Sequence, residues 1–234
     1  MFDCHIHIET GMENYDISIS SGNIIFNSIE SYEQYSSLYP NHYHSLIFDF
    51  DKDILYFKNL KKEKKIVCLK IHSRIQKIAE KDYPFLIQRL KELDENIPII
   101  YDAFYYGEDI IYQPNLKELI NLIKVFPDRK FIIAHAGGYE ILKYYFHLRT
   151  FTNVGYDLSL SLQYLEDSSC RDDLKKLIKF TAKEKLFFGT DYPFASPSNQ
   201  VNILNQIFNE LGLAEEEKEG IFNNNWIEFL KINI

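Results

Sequence analysis

The chain has 234 residues, 46% of them apolar and 15% aromatic, and its 26 basic and 34 acidic residues give a net charge of −8. That length and apolar content suit one barrel-sized domain with a large core, and the acidic, sign-mixed surface argues against a nucleic-acid partner, whose phosphates want a basic face. Three scattered cysteines (Cys4, Cys68, Cys170) without a CxxC pair suggest neither a disulfide framework nor a cysteine zinc site and fit a reducing cytoplasm, and no run approaches about 18 apolar residues, so no membrane span is expected.

The first strand is expected over 2–7. Its apolar run is short and broken by Asp3, His5 and His7, which does not suit a signal peptide. Further strands are expected at 23–26, 45–49, 66–71, 98–102, 130–134, 153–157 and 186–189, rich in Ile, Val, Phe or Tyr and bounded by turn residues. Between them lie helix-length segments with apolar residues at three- and four-residue spacing: 83–94 (Phe85, Leu86, Leu90, Leu93), 115–126 (Leu116, Leu119, Ile120, Ile123) and 172–182 (Leu174, Leu177, Ile178). The basic run at 58–65 is interrupted by Asn59, Leu60 and Glu63 and reads as a solvated helix end, and 198–231 reads as two or three helices. Eight strands alternating with helices predict an α/β fold, a (β/α)8 TIM barrel occupying 1–234 as a single domain with C-terminal helices. The competing open doubly wound sheet would want a Gly-rich phosphate loop after strand one, and there is none.

In such a barrel the chemistry belongs at the C-terminal ends of the strands. Polar residues interrupt the apolar runs there. On strand one, His5 and His7 are two apart and share a face, so both imidazoles can reach one ion at about 2.0–2.1 Å. Strand four ends in Lys70 and His72, again two apart. A lysine closing an apolar run is costly to bury unless partnered; it could pair with a carboxylate, hold an anionic substrate or bridge two metals after carbamylation. Asp102 ends strand five as a metal ligand, a partner for Lys70, or a turn cap. His135 ends strand six, and Gly137 and Gly138 just beyond it permit a tight turn. Asp191 lies just past strand eight, where a carboxylate can bind a metal and take a proton from water. Asp157 and Ser159, after strand seven, give a weak pocket signal, and His42, His44 and His147 read as surface or loop residues.

These motifs resemble the amidohydrolase superfamily, specifically its amidohydrolase-2 (ACMSD-like) branch. Asp3-Cys4-His5-Ile6-His7, Leu69-Lys70-Ile71-His72, Ile133-Ala134-His135-Ala136-Gly137-Gly138 and Gly189-Thr190-Asp191-Tyr192-Pro193-Phe194 come in the family's order. The tail Ile221-Phe222-Asn223-Asn224-Asn225-Trp226 is similar to its closing helix. The resemblance implies a barrel that activates water on a divalent ion, zinc being the first choice. His5, His7, Asp191, His135 and Asp102 are then its candidate ligands, and Asp191, His135, Lys70 and His72 its catalytic and substrate-binding groups. The family's fifth strand usually ends in histidine, and Asp102 stands at that position; an oxygen ligand replaces the nitrogen, or the site works with another ion or none. The expected function is a metal-dependent hydrolase that cleaves a C–O or C–N bond (lactone, ester or amide) of a small anionic substrate. A nonoxidative decarboxylase of an unsaturated or aromatic acid and a non-catalytic binding protein on a degenerate barrel are the alternatives. A homo-oligomer is compatible with the sequence, which does not set the oligomeric state.

Overall fold

The computed structural model describes residues 1–8, 21–93 and 96–232. Eight strands form one parallel sheet in sequence order: β1 (Phe2–Ile6), β2 (Ser21–Phe26), β3 (Tyr43–Ile47), β4 (Cys68–Ile71), β5 (Ile99–Asp102), β6 (Phe131–Ala134), β7 (Val154–Asp157) and β8 (Leu186–Phe187). The ring is completed where β1 meets the segment just past β8. Cys4 N donates to Phe188 O at 3.0 Å, His7 N to Tyr192 O at 2.8 Å and Asp191 N to His5 O at 2.8 Å. The expected (β/α)8 barrel is therefore the observed architecture.

Helices lie between the strands: α1 (Ile29–Tyr35), α2 (Ile54–Lys62), α3 (Ser73–Gln76), α4 (Tyr83–Leu93), α5 (Leu116–Val125), α6 (Ile141–Leu148), α7 (Ser161–Tyr164) and α8 (Cys170–Phe180). The expected helix over 83–94 corresponds to α4, and Asp94 lies outside the described residues. The C-terminal part forms α9 (Pro197–Leu211), α10 (Glu215–Glu219) and α11 (Asn225–Leu230). Asn225 ties α11 to the barrel, its Nδ2 donating to Lys183 O at 2.6 Å and Leu186 O at 3.2 Å. Among the described residues no helix is long and apolar enough to cross a membrane.

Strand side chains alternate between two apolar layers. Leu69, Ile71, Ile99, Tyr101, Phe131 and Ile133 face outward into the packing against the helices. Cys4, Ile25, Cys68, Ile100, Ile132 and Phe187 fill the lower barrel together with Trp226, Phe229 and Leu230 of α11. On β1 the alternation changes phase. Phe2 and Cys4 belong to the inner cluster and Ile6 to the outer one, with a register shift between Asp3 and Ile6. A bulge of this kind adds one residue to one side of a ladder and re-aims the side chains beyond it. Below it β1 points cysteine inward; above it, His5 and His7.

Candidate metal centre and active site

The polar strand ends converge. His5 Nε2 lies 3.2 Å from His7 Nε2, and Asp191 Oδ1 lies 3.3 Å from both. All three residues are buried. The opposite ring nitrogens are committed. His5 Nδ1 donates to Asp157 Oδ2 at 2.5 Å, and His7 Nδ1 donates to the Ile25 carbonyl at 2.9 Å. Both Nε2 lone pairs are thereby left unprotonated and aimed at one point. Burial, with Lys70 adding to it, lowers the His5 pKa to about 4.

This donor set fits a divalent ion. Three ligands held tetrahedrally at about 2.0–2.1 Å are separated by roughly 3.3–3.4 Å, close to the separations present. A carboxylate behind one histidine and a backbone carbonyl behind the other is the usual support of metal-binding imidazoles. His5, His135 and Asp191 also have ligand atoms within 4.8 Å of one another, so His135 stands close enough to share in the site.

Asp157 and Ser159 form the floor. Ser159 Oγ donates to Asp157 Oδ2 at 2.9 Å and lies 3.1 Å from His135 Nδ1. Asp3 holds the other flank, accepting from the backbone N–H groups of His5 and Thr190, each at 3.0 Å, and from Thr190 Oγ1 at 2.6 Å. These contacts fix the turn that presents Asp191. Asp191 (φ 64°) in that turn, and His135 (φ 58°) and Ala136 (φ 52°) in the turn after β6, lie in the left-handed region, which costs non-glycine residues energy and clusters at functional sites. Gly137, at φ 95°, also lies there, and a Cβ on it would meet the Tyr144 ring at 2.9 Å. Gly189 has no Cβ for a different reason: one would sit 2.7 Å from Asp157 Oδ1.

On the opposite side, Asp102 Oδ2 gathers Lys70 Nζ at 3.4 Å, His72 Nε2 at 3.4 Å and His135 Nε2 at 3.3 Å. Burial acts to raise the Asp102 pKa, but His72 and Lys70 outweigh it and hold the carboxyl well below its usual range. Lys70 also donates to His5 Nε2 at 3.3 Å and His7 Nε2 at 3.5 Å, linking the two halves of the site. His72 accepts from Ile75 N through Nδ1 at 3.5 Å, so its proton is on Nε2, toward Asp102. Burial pushes its pKa down to about 3, which leaves it neutral. His135 goes the other way: burial opposes its charge, but Asp191 and Asp102 prevail and raise its pKa.

Every site residue expected from the sequence thus lies in one cluster at the C-terminal ends of the strands. His42, His44 and His147 lie outside it; His44 packs beside Phe26 and Tyr32, its Nε2 donating to Tyr39 O at 3.1 Å. The structure adds residues that the sequence did not single out. A cavity of about 360 Å³ opens over the cluster, and its walls include Asn27, Arg74, Phe104, Tyr106, Tyr164 and Phe194. A larger, more open groove of about 890 Å³ runs beside the β5–α5 connection, but the titratable cluster does not face it.

The family model described as Amidohydrolase matches residues 62–232. Solved structures share the fold at low identity. One is a probable 2-pyrone-4,6-dicarboxylic acid hydrolase from Acinetobacter baumannii with citric acid bound, 15% identical over 99% of both chains with a TM-score of 0.67. Dihydroorotase from Saccharomyces cerevisiae in complex with 5-fluoroorotic acid is 14% identical over 99% of this chain and 84% of that one, with a TM-score of 0.70. The 5-carboxyvanillate decarboxylase from Sphingomonas paucimobilis is 12% identical over 97% of this chain and 84% of its own, with a TM-score of 0.67. No curated protein sequence matches the chain.

Proposed function

Because the chain belongs to the amidohydrolase family, an enzyme family, we propose that it is a metal-dependent hydrolase of a small anionic substrate, with zinc as the ion and a lactone, ester or amide as the bond cleaved. The observation that carries this reading is the trio of donor atoms on His5, His7 and Asp191, separated by 3.2–3.3 Å with both imidazoles braced from behind. Such an ion supplies Lewis acidity, lowering the pKa of a water molecule toward neutrality.

The remaining work falls to the chain's own groups. Asp191 presents a buried carboxylate, its pKa lowered because the histidines outweigh burial. It accepts the proton of the attacking water. His135, with its raised pKa and its Nε2 held by Asp102, places positive charge beside the oxygen on which charge develops. Asp102 anchors His135 and Lys70. Asp157 and Ser159 keep His5 in the tautomer that leaves Nε2 free. The aromatic side chains Phe104, Tyr106, Tyr164 and Phe194 flank the cavity above the reacting centre.

The test is metal analysis of the purified protein, then assay of lactones, esters and amides before and after chelation. About one equivalent of metal and turnover that chelation abolishes are expected. Metal-free protein that still turns over substrate would overturn the mechanism. The aromatic walls Phe104, Tyr106, Tyr164 and Phe194 also suit a planar acid, for which nonoxidative decarboxylation is the second reading. Release of CO2 without cleavage of any ester, lactone or amide would select it.

A further inference from the structure

Lys70 and His72 are the cations that the sequence offers to an anionic group, yet both are already engaged. Lys70 is ion-paired with Asp102, and His72 is a neutral donor to Asp102. A different cation faces the same cavity. Arg74 lies on α3, two residues past His72, and its guanidinium carbon sits 4.1 Å from the centroid of the Tyr106 ring. That stacking covers one face of the planar group and leaves its N–H edge free.

Among the described residues no carboxylate pairs with Arg74 and no acceptor meets its N–H groups; its Nε is buried and without a partner. Arg74 as a whole is half-buried on the cavity wall, so its unpaired guanidinium can meet an acceptor that enters the cavity. Asn27, also on the cavity wall, carries a second buried unpartnered atom, Oδ1. Aromatic rings surround the mouth of the cavity beside Arg74. Tyr106 lies against it, and Phe104 packs edge-on to both Tyr164 (5.6 Å between centroids) and His135 (5.7 Å).

Resting on the hydrolase reading above, we propose that Arg74 is the substrate's anion receptor: it takes a carboxylate through its free N–H edge and seats the attached planar body between Phe104, Tyr106 and Tyr164, with the scissile bond directed toward Asp191 and His135. Guanidinium and carboxylate match as two parallel hydrogen bonds, so Arg74 sets specificity and orientation, while the groups beneath it carry the reaction.

Binding rather than turnover tests this. Benzoate and benzamide share a flat body and differ in the charge that Arg74 would read. Ligand-observed NMR titration of the full-length protein should show wild type binding benzoate more tightly than benzamide. Arg74→Gln should weaken benzoate at least tenfold and leave benzamide unchanged. Arg74→Lys keeps the charge and removes the fork; it should weaken benzoate at least threefold, and it decides the matter if the Gln variant does not fold. Benzoate affinity unchanged in the variants, or a wild type that prefers neither probe, overturns the assignment. An Arg74-dependent benzoate preference in a protein that hydrolyses nothing supports the receptor and sinks only the hydrolase reading.

Discussion

The lower barrel interior holds Cys4, Ile25, Cys68, Ile100, Ile132 and Phe187, sealed from below by Trp226, Phe229 and Leu230. A few residues further along the same strands, the inward positions become His5, His7, Lys70, Asp102, His135 and Asp157. The lower level gains free energy by removing apolar surface from water, and the polar pair within it is paired: Ser45 donates to Asn23, and Asn23 donates to the Cys4 carbonyl. The upper level buries ionisable groups that burial alone would neutralise, and keeps them by setting each against another. Stability is concentrated below and chemistry above, so substitutions in the two levels should damage different properties.

The sharpest break belongs to the upper level. Asp191→Asn should lower turnover by about a hundred- to ten-thousand-fold while the melting temperature stays close to wild type; comparable loss of fold would show that the mouth is structural as well. Ile132→Ala is its counterpart below. It should cost about 2–5 kcal/mol of stability by chemical denaturation, with turnover per folded molecule unchanged. Asp157→Asn probes the seam between the levels. It should weaken metal binding about 10–100-fold in a chelator competition and alter the fold little, because the carboxylate acts by orienting His5. A last test is the pH dependence of the metal-free protein. His5 titrates at about 4 and His72 at about 3 in the folded state, both lowered first by burial, against about 6.5 unfolded. Between those values the unfolded chain binds more protons, so the urea midpoint should hold above about pH 6.5 and fall as the pH drops toward 4. The raised pKa of His135 works in the opposite sense, its contribution fading as pH rises. His72→Gln should flatten the acid limb; an unchanged limb would show that His72 contributes nothing to it.

The sequence makes the upper level legible for a simple reason. A charged or imidazole side chain at the end of an apolar β run stands out, and in a barrel that position is the mouth. His5, His7, Lys70, Asp102 and His135 are all of this kind, and Asp191, just past β8, obeys the same logic. Strand limits are less legible where tertiary contacts decide them. The expected strand 186–189 pairs with β7 only over Leu186–Phe187, because Phe188 N turns to Ile221 O at 3.0 Å. Supporting groups are harder still. Asp157 meets His5 across 152 positions, and no local pattern announces that encounter. Arg74 is the extreme case: a charged residue on a four-residue helix looks like a solvated one until the fold lays it on Tyr106 and leaves its edge open to the cavity.

The seam where the ring closes has a temporal consequence. His5 and His7 are synthesised before Asp191, whose carboxylate lies beside them, and before the helix beneath them, which begins at Asn225. The pairing of β1 with the residues after β8 is among the most sequence-distant in the molecule, and such contacts form slowly. A nascent chain therefore carries an exposed, unfinished β1 edge until the residues after β8 have been made. During that interval the two histidines are free to bind stray metal ions or a neighbouring chain, a hazard that ends when the last strand docks.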